Sequence, residues 1–191
     1  QWDEVDRLLD ALLRSNAMEP GVATQSRRMA YAENLRRRAA DDRGLLEYWK
    51  KIPADFKVDA WVARAAAEAF MQRNGHDTAL DVLEAALNRD WHEELVALYG
   101  EVRGSSPTRQ IERAEKWLHA RPRDAQLLLT LAQLCSVQAL WGKAQSYLEA
   151  SLAIAASAEG HIRMAELKTQ NDQPGEACRH YQKALALCRV Q

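Results

Sequence analysis

Little in this sequence breaks a helix. Its 191 residues include only 8 Gly and 5 Pro, and these cluster between apolar runs instead of interrupting them. Cysteine is scarce: Cys135, Cys178 and Cys188 make an odd count without CxxC spacing, which argues against a disulfide framework and a zinc ribbon. Each cysteine falls on an apolar helical stripe and is expected to be a small buried hydrophobe. No run reaches the roughly 18 apolar residues of a membrane span, and no signal peptide opens the chain. Neither sign of charge prevails. Lys plus Arg number 26 against 27 Asp plus Glu, a formal net charge of -1, so no basic excess points to a nucleic-acid partner. The two-residue alternation of strands is missing as well. The chain begins at Gln1 without an initiator Met, so an upstream segment is expected, and any anchor would lie there.

What remains is helical periodicity. Hydrophobic residues make up 47% and charged residues 28%, the balance of a folded chain and not of a disordered one. Val5, Leu8, Leu9, Leu12 and Leu13 form an amphipathic stripe over Trp2 to Ser15, with acids opposite. Val22 to Ala39 reads as a second helix with Met29, Ala32, Leu35 and Ala39 on one face, and Arg43 to Lys51 as a third, stopping ahead of Pro53. Helices are then expected over 59–73, 77–88, 91–102, 108–120, 125–137, 141–155, 158–170 and 174–189, about eleven in all. Asn74-Gly75, Gly142 and the run Asn171 to Gly175 supply turn residues between them.

The stretch Leu140 to Ile154, LWGKAQSYLEASLAI, sets the pattern, and 33 residues later Gly175, Ala177, Tyr181 and Ala184 repeat it. Taking Ala60, Ala125 and Ala158 each as position 1 aligns three units. Small residues then recur at position 8 (Ala67, Ala132, Ala165) and at position 20 (Ala79, Ala144, Ala177). This resembles the tetratricopeptide repeat, a unit of about 34 residues built from two antiparallel helices. The 91–120 unit departs from the pattern, with a longer loop and no clear small residue at position 8, and 22–53 matches only in outline. The expected fold is an all-α, right-handed α-solenoid of tetratricopeptide-type helix pairs forming a single domain over 1–191. Its parts are an N-terminal helix or cap (1–21), a degenerate pair (22–53), a repeat (59–88), a divergent repeat (91–120) and two further repeats (124–156 and 157–190).

Three longer stretches, LWGKAQSYLEASLAI (140–154), AEKWL followed by RPRD (114–118 and 121–124) and LLEYWKKIP (45–53), resemble the HemY family of bacterial inner-membrane proteins. The tetratricopeptide pattern alone does not require that wording. The resemblance implies a membrane segment ahead of the helical repeat domain and a role connected with late protohaem synthesis, with haem-biosynthesis enzymes as partners. The side of the membrane is left open. Some bacteria use the same name for a flavin-dependent oxidase, but this chain has no Gly-rich dinucleotide fingerprint after a strand, so that activity is not carried over.

Catalytic constellations are missing from the sequence. His76, His92, His119, His161 and His180 include no pair in HExxH spacing, and no nucleophile elbow or phosphate loop occurs. The expectation is therefore a non-enzymatic scaffold with no catalytic residue, cofactor or metal. By the tetratricopeptide register, the groove that takes a protein or peptide is lined by Trp61, Arg64, Glu68 and Met71, then Gln126, Leu129 and Gln133, then Glu159, Ile162 and Glu166. A second reading is a porphyrin-binding accessory protein, with Arg28, Arg36 and Arg37 as an anion patch for propionates. Consecutive arginines diverge by about 100° per step on a helix, so they cannot all face one ligand. A third reading is a generic repeat adaptor unrelated to haem.

Overall fold

The computed structural model of the protein describes Leu8 and residues 19–189. Apart from Leu8, the expected N-terminal helix lies outside the described residues. From Pro20 onward there are eleven helices, and no strand occurs among the described residues. They are α1 (Pro20–Arg38), α2 (Asp42–Lys51), α3 (Ala54–Lys57), α4 (Ala60–Gln72), α5 (His76–Arg89), α6 (Glu93–Glu101), α7 (Pro107–Ala120), α8 (Ala125–Val137), α9 (Trp141–Ile154), α10 (Ala158–Gln170) and α11 (Pro174–Cys188). The four-residue α3 is the one element the sequence pattern does not show. It is too short for a period to register.

The chain divides into two compact units. The first holds residues up to Leu98 together with Val102–Ser105, and the second holds Tyr99–Glu101 and everything from Ser106. In the first unit, α4 packs on α5 and also on α1, with α2 and α3 against the same bundle. In the second, α8 packs on α9, α10 on α11, α7 on α8 and α9 on α10, and α8 also touches α10. Each first helix thus meets its own second helix, and in the second unit the first helix of the next pair as well. This is the stacking that defines a helical repeat.

Three copies of one backbone device make the pairs. The residue just before each first helix is an N-cap: the Asp59 carboxylate accepts from Trp61 N and Val62 N, Asp124 from Leu127 N at 2.8 Å, and Ser157 Oγ from Gly160 N at 3.0 Å. Each first helix then ends in a residue of left-handed conformation at position 15: Asn74 (φ 57°), Ala139 (φ 55°) and Asp172 (φ 56°). The following amide closes back on position 11, with Gly75 N to Phe70 O at 2.8 Å, Leu140 N to Cys135 O at 2.9 Å and Gln173 N to Lys168 O at 2.9 Å. This is a Schellman closure. It corrects one turn assignment: Gly142 lies inside α9, and the turn ahead of it is made by Ala139, whereas the turns expected at Asn74-Gly75 and Asn171 to Gly175 are present, with Asn74 and Asp172 left-handed. Ala139 carries the strain that a glycine would relieve.

The ladder of positions is buried as the repeat requires. Ala67, Ala132 and Ala165 at position 8 are at most 1% exposed, and Ala79, Ala144 and Ala177 at position 20 at most 3%. At position 27, the Ser151 hydroxyl donates to Ala125 O at 2.8 Å and so ties α9 to α8. Leu129, Ala132, Leu148, Met164 and Leu167 form one cluster across α8, α9 and α10, with Tyr147 and Leu152 against it. Burying each large aliphatic chain is worth about 2 kcal/mol.

The divergent pair substitutes a different solution. Gly100 is buried, and a Cβ there would sit 3.1 Å from Thr130 Cγ2 and from Gln133 Oε1, so α6 approaches α8 as closely as a small residue allows. Tyr99 is fully buried, its ring edge-on to Trp117 at 5.0 Å, and its carbonyl accepts from Gln110 Nε2 at 2.7 Å. A small residue is therefore present in α6. Counted from Glu93, where α6 begins, Gly100 stands at position 8; the expected start at Trp91 puts Leu98 there instead.

Two core expectations need correcting. Met29 is 51% exposed, whereas Ala32, Leu35 and Ala39 of the same expected face are buried, together with Ala23, Ala30 and Tyr31. Of the cysteines, only Cys135 is buried, and Cys178 and Cys188 are exposed. Burial pushes the Cys135 thiol up to about 11, leaving it an inert hydrophobe.

Candidate functional site

On α4, the buried residues Val62, Ala63, Ala66 and Phe70 leave Trp61, Arg64 and Glu68 on the outward side. Trp61 is 58% exposed, unusual for so large an apolar surface. Arg64 is held rather than loose. Its Nε donates to Glu68 at 2.9 Å and its Nη1 to Glu94 of α6 at 2.6 Å. Those two carboxylates, Glu68 foremost, hold the guanidinium above its ordinary pKa. Met71 is half-buried one turn on. The first unit therefore presents an indole beside a fixed Arg between two acids.

The second unit presents its own surface on α8 and α10. Gln126 and Gln133 are half-buried on α8. Ile162 is 39% exposed on α10, and Glu159 and Glu166 are exposed on the same helix. Glu159 accepts from Arg163 Nη2 at 2.8 Å, an i,i+4 pair that holds it along the helix. Leu129 does not belong to this surface. It is 4% exposed within the cluster of Leu148 and Met164, because α10 packs over position 5 of the preceding repeat.

The arginine patch is not an open anion site. Arg28 pairs with Asp59 at 2.6 Å, and Arg36 and Arg37 both face Glu33, at 3.9 and 3.2 Å. An incoming propionate would have to displace a carboxylate already in place. Asp59 also caps α4, so the Arg28 contact fastens α1 to the start of that helix.

Three other polar constellations occur. A cavity of about 470 Å³ in the first unit is lined by Tyr31, Arg38, Gly44, Glu47, Tyr48 and Lys51 with Ile52. Within it Arg38 lies 4.3 Å from the Tyr48 ring centre, and Asn34 donates to Tyr48 Oη at 2.8 Å and accepts from Arg38 at 3.1 Å, so the polar groups serve one another. In the second unit, Glu115 of α7 accepts from Tyr147 Oη at 2.9 Å and Lys143 Nζ at 3.1 Å, both on α9. Burial works to raise the Glu115 pKa, but those two donors outweigh it and the pKa is lowered, while burial and Glu115 together raise that of Tyr147. Lys143 is thus a structural cation. His161 and His180 bring their Nδ1 atoms to 3.1 Å between α10 and α11. Burial lowers both pKa values, assisted by Lys183, which acts on both rings. Among the described residues, no group of three or more His, Cys, Asp or Glu side chains could hold a metal, and no helix is long and apolar enough to cross a membrane.

These features define a class: an all-α chain of tetratricopeptide-type helix pairs that carries exposed side chains on its first helices. Among solved structures the chain is similar to MamA. MamA residues 41 to the end from Desulfovibrio magneticus RS-1 match at 18% identity and a TM-score of 0.56, covering 86% of this chain and 96% of that one. A crystal structure of MamA matches at 14% identity and a TM-score of 0.55, over 81% and 93% of the two chains. MamA of MSR-1 matches at 17% identity and a TM-score of 0.51, over 86% and 98%. At these identities the likeness is one of fold alone. No family model matches the chain, and no curated protein does. The HemY resemblance therefore rests on the sequence wording by itself.

Proposed function

We propose that this chain is a non-enzymatic protein-interaction scaffold whose first helices carry the partner-binding surfaces. The observation that carries the reading is the contrast along one helix. On α4, positions 4, 7, 8 and 11 (Ala63, Ala66, Ala67, Phe70) are buried, while positions 2 and 5 (Trp61, Arg64) stand exposed. Nothing in the stacking of the repeat requires a Trp there, and an exposed indole beside a fixed Arg–Glu pair matches the composition of interface hot spots. The amide, acid and aliphatic side chains of α8 and α10 suit an extended or helical peptide better than a small substrate. The MamA likeness is compatible with this reading at the level of fold.

The setting we propose, on the wording at 45–53, 114–124 and 140–154, is a HemY-like protein of the bacterial inner membrane associated with late haem biosynthesis. Its partners would then be haem-biosynthesis enzymes. Direct porphyrin binding ranks below partner binding, because Arg28, Arg36 and Arg37 are already engaged by carboxylates.

Photo-crosslinking amino acids at positions 61 and 166 test the scaffold reading in cells. One dominant partner should be captured from these sites and not from position 146, which is exposed on α9. Equal background capture from all three would reject it. Titration with haem tests the alternative. A saturable Soret shift with quenching of Trp fluorescence at micromolar ligand would favour porphyrin binding over the scaffold.

A further inference from the structure

The first helices from α4 onward carry an acid excess that their second helices do not share. Their three cations already have carboxylate partners: Arg64 lies between Glu68 and Glu94, Arg163 pairs with Glu159 at 2.8 Å, and Lys168 with Glu176 of α11 at 3.1 Å. Glu93 and Glu101 of α6 and Glu166 of α10 are exposed, and none of the three has an ion-pair partner among the described residues. On the second helices α5, α7, α9 and α11, Lys and Arg equal Asp and Glu in number. Helix α1 is basic, but its Arg28, Arg36 and Arg37 face Asp59 and Glu33.

The acceptors keep a register. With Ala60, Glu93, Ala125 and Ala158 as position 1, position 9 is Glu68, Glu101, Gln133 and Glu166, so each of the four first helices carries a side-chain acceptor there. Position 2 is Glu94, Gln126 and Glu159 in three of them and the exposed Trp61 in the fourth. No Lys or Arg occupies either position. Stacking fixes the small residue at position 8 but asks nothing of the charge at position 9. On α10, Glu159, Ile162 and Glu166 follow steps of three and four, which set an aliphatic chain between two acids on one side of the helix.

We infer, on the scaffold reading proposed above, that the partner segment these helices take is cationic and partly apolar. Its Lys or Arg side chains meet the carboxylates of positions 2 and 9, and one of them lies over the Trp61 indole, whose face attracts a cation. An acidic segment would find Arg64, Arg163 and Lys168 already engaged and would face Glu93, Glu101 and Glu166 as like charges.

Fluorescence anisotropy of the full chain with a labelled peptide of Lys, Leu and Gly, and with its Glu, Leu and Gly counterpart, tests the charge preference. The Lys peptide should bind, more weakly as salt is raised, and the Glu peptide should not. Neutralising Glu93, Glu101 and Glu166 together to Gln should weaken binding about tenfold. A matched control on the second helices, Asp81→Asn with Glu112→Gln and Glu149→Gln, removes three exposed carboxylates and should leave it unchanged. All six positions are exposed, so both variants should keep their helical circular dichroism. Equal binding of the two peptides, no loss in the first variant, or the same loss in both variants would overturn the inference. So would an acidic or uncharged segment identified by mass spectrometry in the adduct captured at position 166, a result that leaves the scaffold reading standing. Background capture alone rejects that reading, and the peptide titration still decides the charge.

Discussion

Replacing Ala139 with glycine should stabilise the protein, against the usual direction of helix-end mutations. Ala139 sits at φ 55° between α8 and α9, at the position where Asn74 and Asp172 serve the other two turns. An L-residue with a Cβ costs about 1–2 kcal/mol in the left-handed region. Glycine removes that cost but widens the unfolded ensemble by about 0.4–1 kcal/mol. Ala139 is exposed and packs little, so no buried contact is lost. The net gain is about 0.5–1 kcal/mol, or about 2 °C in melting temperature for a chain of this size. Two variants bracket the reasoning. Asn74→Gly should change stability by no more than a few tenths of a kcal/mol, because Asn tolerates the left-handed region. Gly142→Ala, inside α9 with nothing within 4 Å of the added methyl, should gain roughly 0.5–1 kcal/mol from helix propensity. Thermal and urea denaturation followed by far-ultraviolet circular dichroism, at unchanged m-value, give these differences. A loss of stability in Ala139→Gly, or an equal response at Asn74, would refute the argument that the closure carries strain at one repeat only.

The remaining predictions are independent of that turn. Leu148→Ala, at 1% exposure in the cluster shared by α8, α9 and α10, should cost about 2–5 kcal/mol in urea denaturation. Tyr147→Phe should cost about 1–2 kcal/mol, because it removes a charge-assisted bond to the Glu115 carboxylate, and a double-mutant cycle with Glu115→Gln should return a favourable coupling. The His161–His180 pair predicts acid sensitivity. Both folded pKa values lie below 6.5, so the unfolded chain takes up protons first, and the stabilisation present above that pH is lost as pH falls through the folded values. Lys168 and Lys183 oppose a second positive charge and Glu176 works the other way. Stability measured between pH 7.5 and 5 should fall more steeply for the wild type than for His180→Gln.

The fold was legible because the repeat states its packing in residue size. Ala67, Ala132 and Ala165 mark the close approaches in the sequence, and all three are buried. The turns at Asn74-Gly75 and Asn171 to Gly175 were placed correctly, whereas Gly142 lies inside α9 and the middle turn falls on Ala139. Glycine is the usual bearer of positive φ, whereas here Asn74, Ala139 and Asp172 hold it under Schellman bonds that no composition rule reveals. The divergent pair hid Gly100, because α6 begins at Glu93 and not at Trp91, which moves position 8 by two residues, and Tyr99 packs with Gln110 and Trp117 beside it. Exposure was the hardest quantity to read. Leu129 and Ile162 share position 5, but one is covered by the next pair and the other is not. Likewise Cys178 and Cys188 lie on an apolar stripe without being interior. Charge pairing was also invisible: Arg28 finds Asp59 across 31 positions of sequence, and only the packing of α1 on α4 brings them together.

Trp61 and its neighbours are the centre of the proposed contact surface. The direct measurement is the affinity of the crosslinked partner for the purified chain, by titration calorimetry, in the wild type, Trp61→Ala and an exposed control, Ser146→Ala. Trp61→Ala should weaken binding at least tenfold, about 1.4 kcal/mol, with the control unchanged. Equal affinity in all three would contradict the assignment of a binding surface to the first helices.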